Sequence, residues 1–348
     1  MSRRVTVTAV GGIPEVCAGD DLPALLAAGL RRSGIEPADG DIVVVSSKIA
    51  SKALGLVSDA ADKEALVASQ TRSVVAERVA DGHVTRVVHS VAGPVMAAAG
   101  VDGSNTGGRG GWLLLPADPD AVCRDLHAGL TARYGVRLGV VLSDTAGRPW
   151  RVGQTDFALG AHGLAVVEDL RGGHDADGRP LAVTTRAVAD EVAAAADLVK
   201  GKARRVPAAV VRGLADLVTG GESVATGAAD LVRTGPSDWF ALGRVEAVRA
   251  ALGVAPGSAR SAAVGISPAR PGPQCEAVRR AVALALHTVP GGRADVGETS
   301  VRLGADGPYE LGRLLARFEV ALAAESLVGT PGVPTVDGCA VEVALEHP

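Results

Sequence analysis

The sequence is poor in aromatic residues, with three Trp, two Tyr and three Phe, yet 47 % of it is apolar. Its core must therefore be built from Ala, Val and Leu. Cysteine is equally sparse. Cys17, Cys123, Cys275 and Cys339 are scattered with no C-x-x-C pair, which argues against a zinc ribbon and for a reducing compartment. The start, MSRRVTVTAVGG, carries two arginines but no long apolar segment behind them, so no signal peptide is expected. No uninterrupted apolar run approaches membrane-spanning length. The formal net charge of -4 gives no electrostatic case for nucleic acid or an anionic membrane as the main partner. The expectation is a soluble cytoplasmic protein, long enough for two domains.

Lysine is the scarcest charged type: the only lysines are Lys48, Lys52, Lys63, Lys200 and Lys202, against an abundance of Arg. A codon bias toward Arg converts tolerant lysines, so those that remain are candidates for sites needing a compact ammonium rather than a planar fork. Chance and ordinary surface charge are the bland alternative. Four of the five fall in two clusters, SSKIASK and KGK.

Two short apolar, β-branched runs, Ile42–Val45 and Leu138–Leu142, read as buried strands of an α/β sheet. Each is followed by polar residues: Ser46, Ser47 and Lys48 after the first, Asp144, Thr145, Arg148, Arg151, Gln154 and Asp156 after the second. The second stretch reads as a loop at a strand's carboxyl end, where α/β sheets usually bind ligands; a solvated connection is the equal alternative. A third polar cluster, Asp102, Ser104 and Asn105, lies in a Gly-rich loop. Periodicity predicts an amphipathic helix over Ala61–Val79, and helix punctuation brackets the segment 117–135. Residues 157–166 read as small-residue packing. A helix ending near Gly201 and a strand, AAVVRG, follow. Residues 253–273, rich in Ala, Gly, Pro and Ser, read as a linker. Beyond it two helices, Gln274–Leu286 and Pro308–Ser326, and a strand over Thr335–Leu345 are expected. The organisation is thus α/β, with a main domain over 1–252, the linker, and a short α/β appendage over 274–348.

Two carboxylates arriving from separate segments suit a hard divalent cation, and serine and lysine nearby suit phosphate oxygens. The P-loop pattern G-x-x-x-x-G-K-[ST] is absent, as are H-E-x-x-H, G-x-S-x-G and G-x-G-x-x-G. The GGRGG stretch at 107–111 reads as a flexible hairpin, and His89, His162 and His174 read as structural or loop residues. Spacing alone reaches a phosphate-and-metal enzyme and no further.

At these same residues the sequence resembles the coenzyme F420-0:L-glutamate ligases. The matching motifs are GIPEVCAGDDL (12–22), DGDIVVVSSKIASKA (39–53), AAGVDGSN (98–105), SDTAGRPWRVGQTDFALGAHGLAV (143–166), ADEVAAAADLVKGK (189–202) and SDWFALG (237–243). They cover about the first 250 residues in order, and together are far more specific than any one alone. The resemblance implies a mixed α/β ligase core. Its reaction joins L-glutamate to the carboxylate on the phospholactyl arm of F420-0, with GTP as cosubstrate, and extends the tail by γ-linkage. It further implies Mn²⁺ or Mg²⁺, K⁺ as an accessory ion, and an intertwined homodimer. By matching position, Asp102, Asp144 and Thr145 would ligate metal. Ile13, Pro14, Glu15, Val16, Ser47, Lys52 and Asn105 would contact GTP. Lys52 would add cationic character at the reacting centre, joined by Lys48. Arg148 and Arg151 are candidates for anion recognition on chemical grounds alone. Rival readings are a same-fold ligase for another carboxylate and amine, and a non-catalytic GTP- or deazaflavin-binding protein.

Two departures stand out. Leu54, Gly55 and Leu56 occupy places where many relatives read Glu-Gly-Arg. Some relatives with LVKGK continue into a nitroreductase-like flavin domain, whereas here fewer than about 80 residues follow the linker. CEAVRRAVALAL resembles the beginning of such a domain. A degenerate remnant, or a small unrelated appendage, is expected, without bound flavin.

Overall fold

Ile42–Ser46 (β2) is buried along its apolar length, and so is the start of Gly139–Arg148 (β8), which lies parallel beside it. The structure, a computed structural model, describes residues 4–80, 83–108, 110–219, 227–234, 244–255, 258–264, 273–325 and 327–346. The motif SDWFALG (237–243), Arg109 of GGRGG and residues 265–272 of the expected linker lie outside the described residues.

In chain order, Thr6–Val10 (β1) and Leu22–Arg32 (α1) precede β2, and Ser47–Ala53 (α2) follows it directly. Next come Val57–Ser58 (β3), Lys63–Ser69 (α3), Thr71–Ala80 (β4), His83–Ser90 (β5), Val95–Ala97 (β6) and Trp112–Leu113 (β7). Pro119–Tyr134 (α4) leads into β8, followed by Arg151–His162 (β9), Glu168–Asp169 (β10), Thr185–Arg186 (β11), Val188–Lys200 (α5) and Ala208–Arg212 (β12). The central sheet has the order β1-β12-β2-β8-β9; β2 and β8 are parallel and the other neighbours antiparallel. Strand alternation sends Val43, Val45, Val140 and Leu142 to a core shared with α1 and α4. Ile42, Val44 and Val141 go to a second core under α5. Both faces are covered, which is why these strands read as continuous apolar runs. Asp118 caps α4 by accepting from the amide of Ala121, and Gly135, at φ 67°, ends it in the left-handed conformation.

Contacts divide the chain into two units: residues 1–72 with 88–234, and residues 73–87 with 235–348. The sequence placed the boundary after 252. The second unit contains Arg244–Ala251 (α6), Ala259–Val264 (α7), Gln274–Leu286 (α8), Arg293–Val296 (β13), Ser300–Gly304 (β14), Pro308–Ala324 (α9), Val328–Pro331 (β15) and Ala340–Glu346 (β16). Its antiparallel sheet, β13-β14-β16-β15, packs Val301, Leu303, Val341 and Val343 against Val278 and Ala281 of α8 and Leu314 and Phe318 of α9. No helix among the described residues is long and apolar enough to cross a membrane.

The α/β class, β2, β8, α5, β12, α8 and α9 agree with the sequence reading. Three local expectations are corrected. The helix over Ala61–Val79 stops at Ser69, and strand β4 replaces its second half, because β-branched Thr71, Val74 and Val75 favour the extended chain. Residues after Leu142 are not a loop: β8 and β9 form one long hairpin in which only Pro149 and Trp150 turn, Trp150 at φ 56°. For the same reason His162 lies on β9 rather than in a loop, on the same strand as the buried small residues Ala158, Gly160 and Ala161 expected there.

Candidate functional site

The parallel register sets Ser46 beside Ser143, so the next residue of each strand, Ser47 and Asp144, emerges at the same level. The Ser47 hydroxyl donates to Asp144 Oδ1 at 2.9 Å. Ser47 is also the first residue of α2, which starts without a break from the strand. The next residue, Lys48, reaches the other way and pairs its ammonium with Asp102 Oδ2 and the Ser104 hydroxyl. One dipeptide thus gathers two carboxylates that lie far apart in sequence. Asp102 is fixed in turn by a backbone bridge to Leu113, at 2.8 Å from its carbonyl, and by the amide of Ser104, at 2.8 Å from Oδ1. Asn105 follows in the left-handed conformation, φ 57°, a geometry Asn tolerates better than most residues.

Lys52 stands one helical turn beyond Lys48, on the same side of α2, and its ammonium pairs with Glu15 Oε1. The segment Ile13–Val16 is anchored by Val16, 4 % exposed, and by Ile13 against the core. The loop containing Asn105 closes over Glu15: a Cβ at Gly107, whose φ is 76°, would come within 2.5 Å of Glu15 Oε1. Ile13, Pro14, Glu15, Val16, Ser47, Lys48, Lys52, Asp102, Asn105 and Asp144 therefore belong to segments that meet around α2.

The electrostatics of the two carboxylates differ. Burial pushes Asp144 up to about 6, against the hydrogen bonds from Ser47 and the Thr145 amide; Asp156 adds to the rise and Lys48 opposes it. Burial also works against the charge of Asp102, but the hydrogen bonds from Lys48 and Ser104 outweigh it and hold its carboxyl below the ordinary value. Lys48 acts on both groups, so two negative charges share one ammonium. Among the described residues no three His, Cys, Asp or Glu side chains converge as a metal site. The oxygen donors of Asp102, Asp144 and Ser47 nevertheless have the chemistry that a hard divalent ion prefers.

The structure does not bring the Thr145 side chain into this group, contrary to the expectation of three ligands in one set. Successive residues of a strand face opposite ways, so Thr145 points to the α5 side, where its hydroxyl donates to Asp156 Oδ1 at 2.7 Å. Nor does it bring in Arg148 and Arg151. They face each other at the exposed hairpin tip, about 13 Å along the strand from Asp144 at ~3.3 Å per residue.

Behind Asp144 lies a network that residue-by-residue reading passed over. Lys200, at the end of α5, donates to Asp156 Oδ2 at 2.7 Å and to the Ser143 hydroxyl at 2.6 Å. Ser143 itself donates to Asp156 Oδ2 at 2.9 Å. Lys200 and Asp156 side chains are only 4 % and 5 % exposed. Lysine scarcity was the signal that pointed to Lys200; nothing in the spacing named Asp156 as its partner. His162 stacks edge-on against His127 at 4.8 Å. His174 sits in a loop bridge with Pro180.

A family model described as F420-0:Gamma-glutamyl ligase matches residues 12–213. The chain is 38 % identical over 232 residues to the coenzyme F420:L-glutamate ligase of Haloarcula marismortui, covering 59 % of this chain and 86 % of that protein. It is 37 % identical over 225 residues to the protein of the same name from Methanothermobacter thermautotrophicus, covering 60 % and 89 %. The Halobacterium salinarum protein of that name is 39 % identical over 225 residues, covering 59 % and 85 %.

Proposed function

Because the chain belongs to the F420-0:gamma-glutamyl ligase family, we propose that it joins L-glutamate to coenzyme F420-0 in a GTP- and divalent-metal-dependent reaction. The observation that carries this reading is the Ser47–Lys48 dipeptide, which ties Asp144 and Asp102 together beside the Lys52–Glu15 pair. A carboxylate is a poor acyl donor at neutral pH. Phosphoryl transfer from GTP, with GDP as leaving group, converts it to an acyl phosphate; the neutral glutamate amine then attacks the carbonyl carbon, the C–N bond forms, phosphate leaves with the C–O electron pair, and the amine proton passes to the departing phosphate. Such transfer calls for positioning and charge neutralisation more than covalent help.

Asp102 and Asp144 would hold Mn²⁺ or Mg²⁺, with Ser47 orienting Asp144. When bound, the ion supplies charge neutralisation at the phosphates. Lys48 and Lys52 hold compact positive charge against the same phosphates, and the Ile13–Val16 segment with Asn105 borders the nucleotide. The Thr145 hydroxyl is committed to Asp156, so of the three expected ligands Asp102 and Asp144 are the side chains that would hold the ion. A homodimer and K⁺ rest on the family resemblance alone.

The test is incubation of the protein with F420-0, L-glutamate, GTP and Mn²⁺, with the coenzyme read by mass spectrometry. One or more added glutamyl units, abolished in Asp144→Ala, is the expected result. Retained nucleotide binding with no addition would sink the ligase reading in favour of another acceptor or a binding protein.

A further inference from the structure

β9 is the outer strand of the central sheet, and two of its outward amides are taken by carboxylates. Asp190 accepts from the amide of Ala158 at 2.9 Å, and Asp120 from that of Ala161 at 2.8 Å. These carboxylates stand in the first turns of α5 and α4. A cavity of about 360 Å³ lies along this edge, with Phe157 and Leu159 on one wall and Leu231 on another. Its volume falls at the small end of small-molecule pockets, roughly 300–1,000 Å³. It suits an amino acid rather than a whole deazaflavin.

The charges of the cavity divide into spent and unspent. Asp120 also accepts from the amides of Ala228 and Ala229, at 2.8 and 3.2 Å, and so serves to hold the 228–231 turn in place. Asp118 caps α4 and pairs with Arg124 at 3.3 Å. Asp190 takes one backbone amide, whereas a carboxylate has about four acceptor sites. It is half-buried, and burial raises its pKa, the mark of a charge short of partners. Arg72 lines the same cavity. Arg72 commits one guanidinium N–H, to the Val91 carbonyl at 2.8 Å, out of the five that the group carries. One under-partnered carboxylate, the Arg72 guanidinium and an apolar wall are the complement of a zwitterion with a methylene body.

We propose that this cavity binds the incoming amino acid, an α-amino dicarboxylate, with its ammonium on Asp190, a carboxylate on Arg72 and its methylenes against Phe157 and Leu231. The inference rests on the ligase reading. Position supports it: Phe157, which lines the cavity, is the cross-strand partner of Asp144, so one wall of the cavity belongs to the strand next to the one that carries the metal candidate. An amine nucleophile has to be held beside the carboxyl that is being activated.

The test is equilibrium dialysis of labelled L-glutamate against the full-length protein, with F420-0, a non-hydrolysable GTP analogue and Mn²⁺ present. Arg72→Gln and Asp190→Asn are each expected to weaken glutamate binding at least tenfold, with KM for GTP unchanged. Asp190→Asn keeps an oxygen for the Ala158 amide, so the strand edge stays capped. Glutarate, which lacks the amine, should bind more weakly than glutamate to the unaltered protein, and that difference should collapse in Asp190→Asn. Leu231→Phe narrows the cavity without touching charge; it should also weaken binding, and it decides the matter if a charge variant fails to fold. Absence of glutamate binding, or affinity unmoved by all three substitutions, overturns the site. Unmoved affinity with glutamyl addition intact leaves the ligase reading standing, whereas absence of addition to F420-0 in the unaltered protein refutes that reading itself.

Discussion

Lys200→Met isolates the network behind the site. Lys200 and Asp156 are 4 % and 5 % exposed, so neither partner can turn to solvent when the other is lost. Asp156 accepts from Lys200, Ser143 and Thr145; the substitution leaves its charge with two hydroxyl donors and no counter-ion. Breaking a buried pair from one side costs about 3–5 kcal/mol. At about 2–4 °C per kcal/mol for a unit of 150–250 residues, that is a fall in Tm of roughly 6–20 °C. Removing both charges together, in Lys200→Met with Asp156→Leu, should recover at least half of the loss, since an apolar pair often replaces a buried ion pair at little cost. The two hydroxyls then lack their acceptor, which keeps recovery partial, at about 1–3 kcal/mol for each unsatisfied group. The assay is urea denaturation of both single variants, the double variant and the unaltered chain, analysed as a double-mutant cycle. Ser143 and Thr145 flank Asp144, so glutamyl addition by Lys200→Met below its Tm should show a lowered kcat with KM for GTP little changed. A single-variant cost under about 1 kcal/mol, with strictly additive effects, would refute the view that this pair holds the Asp144 strand in place.

Gly160→Ala would bring a Cβ to 2.4 Å from the Pro119 carbonyl oxygen, where β9 meets the start of α4. The expected loss is about 1–3 kcal/mol, and an unchanged Tm would mean that strand and helix part cheaply. In the second unit, burial works against the charge of Glu325, but hydrogen bonds from Arg280 and Arg249 hold it below its ordinary value of 4.5. The folded value lies below the unfolded one, so this stabilisation is complete above about pH 4.5 and disappears as pH falls through the folded value. The stability gap between the unaltered protein and Glu325→Gln should therefore narrow below that pH, as read by denaturation in a pH series; a constant gap would disconnect Glu325 ionisation from stability.

What the sequence disclosed follows from what one chain can encode locally. Ile42–Val45 and Leu138–Leu142 are readable as strands because both sheet faces are buried, so no polar residue interrupts them. Beyond Leu142 the chain stays extended but turns polar, and that mixture looks like a loop when the partner strand is unknown. In a loop, Asp144 and Thr145 point wherever the ligand requires; in a strand they diverge, one to Ser47 and the other to Asp156. Pairings such as Lys48 with Asp102, or Lys200 with Asp156, depend on register and crossover and leave no trace in spacing. Lysine scarcity partly compensates for this. Lys48, Lys52 and Lys200 each meet a carboxylate around the β2–α2 junction or behind the Asp144 strand, and Lys63 instead lies 4.7 Å over the Trp112 ring. A guanidinium presents its donors in a fixed plane, whereas an ammonium can direct three donors to oxygens out of one plane. Lys200, bonded to the Asp156 carboxylate and the Ser143 hydroxyl in a space closed to water, is where that difference is most restrictive.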